Sequence, residues 1–268
     1  MFQSIGFLGT GQMGGALARA AVKGAQGARV LLANRTPAKA QALADQLGCQ
    51  ATDNQTVAAQ CQLIFLGVKP QMMEGLLKSI APVLAGRKDR FVLASMAAGL
   101  TARRIQELAG ADYPVIRLMP NTPAEVGAGV IQFCGVDVEP GELKDFQTLL
   151  APAGLVDQVD EGLIDAACAL SGCGPAFCAL LAEALADGAV ACGLPRDKAR
   201  RYAAQTMEGT ARLMRQTGQH PGVMKDAVCS PGGSTIQGVR VLEANGFRAA
   251  AIDAVIAAFE KTQALGKG

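Results

Sequence analysis

Through the N-terminal half of the chain, short runs of consecutive apolar residues alternate with stretches in which apolar positions recur every three or four residues. Ile5-Gly6-Phe7-Leu8, Val30-Leu31-Leu32, Leu63-Ile64-Phe65-Leu66, Phe91-Val92-Leu93 and Val115-Ile116-Arg117-Leu118 are the runs, and each predicts a short buried strand. Between them, Gln12 to Lys23 places Met13, Leu17, Ala20 and Ala21 at helical spacing, Pro37 to Leu47 opens with a proline suited to a first helical turn, and Met72 to Leu84 is mostly helix. Strands that are apolar throughout, alternating with helices, predict a parallel sheet covered on both faces, an α/β doubly wound domain. After Glu161 the pattern changes to long Ala, Leu and Met stretches broken at Gly193-Leu194-Pro195 and Pro231-Gly232-Gly233, which predicts an all-helical remainder. The expected division is therefore 1–161 and 162–268. Ala176 to Cys192 is apolar around most of its circumference, so this helix is expected to be buried on all sides. A tail of roughly a hundred residues has too little volume to bury it unaided. A second subunit is the expected cover, making the chain a homodimer or higher homo-oligomer; packing against the first domain is the alternative.

Composition narrows the picture. The 268 residues suit two moderate domains, and 50% hydrophobic against 18% charged residues supports a packed core rather than disorder. Lys, Arg, Asp or Gly interrupts every long apolar run, so no membrane span is expected. Met1-Phe2-Gln3-Ser4 lacks the basic and apolar segments of a secretory signal, and a cytoplasmic location is expected. Net charge is +2 with the two signs interspersed, which gives no basic stripe for nucleic acid. The eight cysteines contain no Cys-x-x-Cys, and Cys168, Cys173 and Cys178, spaced by fives, do not share a helical face; they are read as reduced packing residues, with no metal site. One histidine excludes any mechanism needing two imidazoles.

Gly9-Thr10-Gly11-Gln12-Met13-Gly14 follows the first strand and opens the first helix, the context that gives a Gly-x-Gly-x-x-Gly loop its meaning. Gly9 permits the turn, Gly11 lets the backbone approach a pyrophosphate, Gly14 lets helix and strand pack closely, and the helix N-terminus offers amides to the anion. The first domain is thus expected to be a Rossmann-type dinucleotide site. NAD enzymes usually place a carboxylate on the ribose diol at the end of the second strand; here stand Asn34, Arg35 and Thr36. A guanidinium pairs with phosphate through a planar fork, so NADPH is expected over NADH, with NADH still usable. Gly67-Val68-Lys69-Pro70 and Ser95-Met96-Ala97-Ala98-Gly99 occupy the corresponding ends of two later strands, where small residues leave room for the rest of the cofactor.

Three later motifs carry a resemblance to pyrroline-5-carboxylate reductases. Val115 to Pro123 reads Val-Ile-Arg-Leu-Met-Pro-Asn-Thr-Pro, Leu170 to Phe177 reads Leu-Ser-Gly-Cys-Gly-Pro-Ala-Phe, and Asp226 to Thr235 reads Asp-Ala-Val-Cys-Ser-Pro-Gly-Gly-Ser-Thr, followed by Val241-Leu242-Glu243 and Gly246-Phe247-Arg248. The resemblance covers essentially the whole chain. It implies NADPH-dependent reduction of the C=N bond of 1-pyrroline-5-carboxylate to L-proline, the last step of proline biosynthesis, with a helical substrate-binding and dimerisation domain. It places Leu8 to Met13, Asn34, Arg35, Asn54, Val68, Lys69, Pro70 and Ala97 on the cofactor, and Ser230, Ser234 and Thr235 on the substrate. A carboxylate needs a nest of amides, and Gly232-Gly233 opening a helix at Ser234 offers one, with Thr235 and Ser230 as the candidate catalytic hydroxyls. Cys173, Cys229 and Ser234 depart from the family's usual Ser, Ser or Thr, and Thr or Ala, and Ala227 replaces a polar residue of some members. His220, in a Gln-His-Pro-Gly turn, is read as a turn residue rather than an acid. Glu161 and Asp165 are read either as ring-face contacts or as helix N-terminal acids. The alternatives are a β-hydroxyacid dehydrogenase-like enzyme, whose long helix opens with a catalytic lysine absent here between Gly172 and Ala191, another cyclic imine reductase, or a binder without catalysis.

Overall fold

The computed structural model describes residues 1–25 and 27–265. They divide into two compact units, one running from Met1 to Cys173 and taking in the end of the chain from Ala258, the other Gly174–Ala257.

The first unit is built on β1 (Ser4–Leu8), α1 (Gln12–Gly24), β2 (Arg29–Ala33), α2 (Pro37–Leu47), β3 (Gln50–Ala51), α3 (Asn54–Gln60), β4 (Leu63–Leu66), α4 (Pro70–Gly86), β5 (Val92–Ser95), α5 (Ala102–Ala109), β6 (Val115–Pro120), β7 (Gly129–Val136), α6 (Pro140–Leu150), β8 (Gly154–Gln158) and α7 (Ile164–Ser171). One eight-stranded sheet runs β3-β2-β1-β4-β5-β6-β7-β8, parallel except where β6 meets β7. The doubly wound expectation holds, with a sheet wider than the apolar runs alone indicated. β7 escaped because Gly129 and Gly135 dilute its apolar pattern, and β8 because it is mostly exposed.

Period-two alternation sorts each strand's side chains onto two apolar layers. Ile5, Phe7, Leu32, Leu63 and Phe65 join Leu17, Phe133 and Phe146 on one face. Leu8, Leu31, Ala33, Ile64 and Leu66 join Met73, Leu77 and Ile105 on the other. Phe7 and Phe65 stack with centroids 4.4 Å apart, locking β1 to β4. The strand order reverses between these two strands, the crevice where a doubly wound sheet takes its ligand.

The second unit holds α8 (Gly174–Ala191), α9 (Arg196–Thr217), α10 (Pro221–Ala227), α11 (Ser234–Ala244) and the opening of α12 (Phe247–Leu265). Its buried residues are Ala186, Ala199 and Ala203, where α8 and α9 meet through small side chains. α8 is therefore not enclosed on all sides within one chain: α9 covers a single alanine stripe, and Leu180 stays 67% exposed. α7, which lies beyond the expected boundary at Glu161, buries Ile164, Cys168 and Ala169 and packs with β6 and β7 of the first unit. Although Asp165, Gly172, Gly174, Glu183 and Asp187 interrupt it, Glu161–Ala191 is long and apolar enough by composition to cross a bilayer. The core helices of water-exposed proteins meet the same criterion, and within this stretch α7 is packed on the sheet.

Candidate functional site

At the reversal point the backbones of the β1 and β4 loops touch. A Cβ on Gly9, whose φ is +108°, would lie 2.4 Å from the Gly67 carbonyl oxygen, and one on Gly14 would lie 2.1 Å from the Gly9 carbonyl oxygen. No other residue fits at either place. Gly11 differs: it stands at the N-cap of α1, exposed, with nothing within 4 Å of the position a Cβ would take. No side chain caps α1, so its first amides are free to receive an anion across that open space. Leu8 is buried in β1 beneath the loop, while Gln12 is exposed and Met13 half-buried at the helix start.

Beside this loop, Asn34 accepts the Thr10 amide on Oδ1 at 3.3 Å and donates from Nδ2 to the Thr36 carbonyl at 3.2 Å. Asn34 thereby ties the glycine loop to the β2 turn and leaves Arg35 exposed beside it. The Thr10 hydroxyl is buried without a hydrogen-bond partner among the described residues, which a bound polar group would remedy. A cleft of about 680 Å³ continues from Asn34 and Pro37 across to Asp53, Asn54 and Gln55. Asp53 caps α3 by accepting the Thr56 amide at 2.8 Å, and that bond holds its carboxyl below the usual carboxylate range. On the far side of Gly9, Val68 is half-buried, and Lys69 and Pro70 are exposed at the start of α4, which no side chain caps. Ala97 is buried after β5, its amide 3.4 Å from the Ser95 hydroxyl. Open Gly11, uncapped α1 and the unpartnered Thr10 hydroxyl together fit a dinucleotide.

In the second unit, Ser230, Gly232, Gly233, Ser234 and Thr235 form a turn into α11. Gly232 takes φ +70°, the Gly233 amide donates to the Ser230 carbonyl at 3.0 Å, and Gly233 is the N-cap of α11 with no side-chain cap. Where α3 and α5 spend Asp53 and Thr101 on their first amides, α11 leaves its own open. His220 is different: its Nδ1 accepts the Gly222 amide at 3.0 Å and caps α10. That bond occupies the one imidazole in a local structural role.

The motif at Val115–Pro123 has a role that its residue types did not disclose. Arg117, 3% exposed on β6, pairs with Asp165 at 2.6 Å and lies 3.7 Å from Glu161. Asn121 donates to the Ser171 carbonyl at 2.9 Å and accepts the Val130 amide at 2.8 Å, while Gln132 and Ser171 share hydrogen bonds through their side chains. Glu161 and Asp165 thus meet a buried arginine, an arrangement visible only once β6 and α7 are adjacent. Burial pushes the Cys134 thiol up to about 11 and the Cys61 thiol up to about 12, so both are inert packing groups. Among the described residues no cluster suits a metal ion.

Residues 161–265 match the family model for pyrroline-5-carboxylate reductase dimerisation, and residues 4–99 match that for coenzyme F420-dependent NADP oxidoreductases. The chain is 40% identical to a pyrroline-5-carboxylate reductase of Escherichia coli over the whole of both sequences. Among solved structures, it is similar to a pyrroline-5-carboxylate reductase from Coxiella burnetii (30% identity, TM-score 0.91, 98% of each chain). It is also similar to a pyrroline carboxylate reductase from Plasmodium falciparum with NADP bound (30% identity, TM-score 0.85, 98% of each chain).

Proposed function

The chain belongs to the pyrroline-5-carboxylate reductase family, and we propose that the Ser230–Thr235 turn is where it takes the carboxylate of its substrate. It is an oxidoreductase that uses NAD(P)H to reduce 1-pyrroline-5-carboxylate to L-proline, the last step of proline biosynthesis. The observation that carries the assignment of the turn is the uncapped N-terminus of α11, with Gly232 and Gly233 before it and the hydroxyls of Ser230, Ser234 and Thr235 around it. A helix end of this kind favours a carboxylate through both its free amides and its positive dipole.

When bound, the nicotinamide supplies the hydride that adds to the C=N carbon. The chain's own residues hold and orient. Gly9 to Gly14 would take the pyrophosphate on the α1 amides, Asn34 would keep the loop in place, and Arg35 would pair with a 2′-phosphate and set the preference for NADPH over NADH. Val68, Lys69, Pro70 and Ala97 would border the nicotinamide ribose, and Asn54 the adenosine. Ser230 and the Gly233–Thr235 amides would hold the substrate carboxylate, leaving Thr235 Oγ1 to orient the ring nitrogen. A pyrroline nitrogen is basic enough to arrive protonated or to take its proton from water, so a dedicated histidine acid is not needed. This suits a chain whose one imidazole is occupied as a cap.

The functional form we propose is a homodimer or larger ring of dimers in the cytoplasm. The exposed apolar side chains of the helical unit support the first part, and eight unpaired cysteines suit a reducing compartment. Thr235→Ala is expected to lower kcat/KM for the imine about tenfold to a hundredfold, the scale of one lost hydrogen bond to a charged group, with NADPH affinity unchanged. Retention of full kcat/KM would remove Thr235 from the mechanism.

A further inference from the structure

Arg117 occupies β6 between Ser95 of β5 and Cys134 of β7. A buried ion pair is a poor stability device, because apolar residues of similar volume usually serve as well or better. Here the cost is compounded, since among the described residues Arg117 Nε is buried with no partner. Packing alone does not call for this residue. Its neighbours do. Asp165 is held at 2.6 Å and Glu161 lies 3.7 Å from the other terminal nitrogen, so one guanidinium faces two carboxylates from the α7 end of the unit. The same Glu161 oxygen that faces Arg117, Oε1, also accepts the amide of Ala102, the first residue of α5, at 2.8 Å.

The loop between Ser95 and Ala102 is consequently fixed at both ends by the surroundings of one side chain. Ser95 is the β5 residue in register with Arg117, and Ala102 is reached through Glu161. That loop carries Ala97, placed above beside the nicotinamide ribose. The far end of α7 is pinned separately, through Asn121 and Gln132 to Ser171. We propose that Arg117 is a positioning residue for the reaction: acting through Glu161 and Asp165, it holds the 95–101 loop and α7 in one register. The proposal rests on the assignment of that loop to the nicotinamide end of the cofactor. It predicts that the hydride-donating end is misplaced when the network breaks, while the grip on the pyrophosphate and adenosine is not.

The full-length chain carrying Arg117→Met, Arg117→Lys, Glu161→Ala or Glu161→Gln separates these roles. NADPH affinity, measured by nicotinamide fluorescence without substrate, is expected within about twofold of wild type in all four. kcat is expected to fall tenfold or more in Arg117→Met and Glu161→Ala. Arg117→Lys, which keeps the charge, and Glu161→Gln, which keeps an acceptor for the Ala102 amide, should each recover a substantial part of the loss. Hydrogen exchange should quicken at the first turn of α5 and along α7 in the two severe variants, with β1 and α1 unchanged. Glu161 is about one-third exposed, so its variants test the idea even where Arg117→Met folds poorly. Folded Glu161→Ala with wild-type kcat and exchange would overturn the proposal. A loss of kcat matched by an equal loss of NADPH affinity would do the same, since that is what general destabilisation produces. Wild-type turnover of the imine in the same assay reports on the family activity separately.

Discussion

In the unit ending at Cys173, Phe7, Phe65, Phe133 and Phe146 are fully buried between a sheet and its helices, whereas the residues buried within Gly174–Ala257 are three alanines. Both regions are rich in apolar side chains, but only the first encloses them. Leu180, Leu185, Tyr202, Val241, Leu242 and Ile252 stand exposed on the second, each more than 40% accessible. Burying a single leucine is worth about 1.5–3 kcal/mol, so the helical unit forgoes a large part of its potential stability as an isolated chain. Its match to a dimerisation model supports oligomerisation through this region. The proposed cofactor residues all lie in the first unit, while the proposed substrate turn belongs to a region with little buried core of its own.

The sharpest way to break this contrast is to make the helical surface unfit for burial. Leu180→Glu would place an unpaired carboxylate in an apolar interface at a cost of at least about 3 kcal/mol, more than a hundredfold in the association constant. Sedimentation should show smaller particles, and turnover should collapse, while the N-terminal unit keeps its affinity for NADPH. An unchanged particle mass would mean that α8 faces solvent in the working enzyme. A smaller effect, confined to the other region, is expected at Arg35. Arg35→Ala should weaken NADPH binding about tenfold to a hundredfold and leave NADH binding within about twofold, with oligomeric mass unaltered. Equal weakening of both cofactors would take the 2′-phosphate away from Arg35.

The same contrast explains what could be read from residues alone. β1, β2, β4, β5 and β6 are buried on both faces, so their apolar runs are continuous and carry their own signal. Gly9 to Gly14 could be recognised because its chemistry depends on order along the chain, strand then glycines then helix. β7 and β8 were hidden, since glycines and solvent exposure removed their pattern. α8 shows the limit most plainly: its composition announced burial, but within the helical unit only Ala186 of α8 is buried, against α9. Arg117 was legible as part of a motif and illegible as a function. Its partners Glu161 and Asp165 are far away in sequence, and nothing local marks a strand arginine as the centre of a network. The open N-terminus of α11 lay between these cases. Its glycines were evident, while the absence of a capping side chain emerged only with the fold.

That the enzyme draws its electrons from a nicotinamide held by the first unit is tested most directly by following NADPH absorbance in the purified chain with 1-pyrroline-5-carboxylate. It predicts imine-dependent oxidation with one L-proline formed per NADPH consumed. No imine-dependent oxidation, together with reduction of NADP⁺ by a β-hydroxyacid, would contradict it.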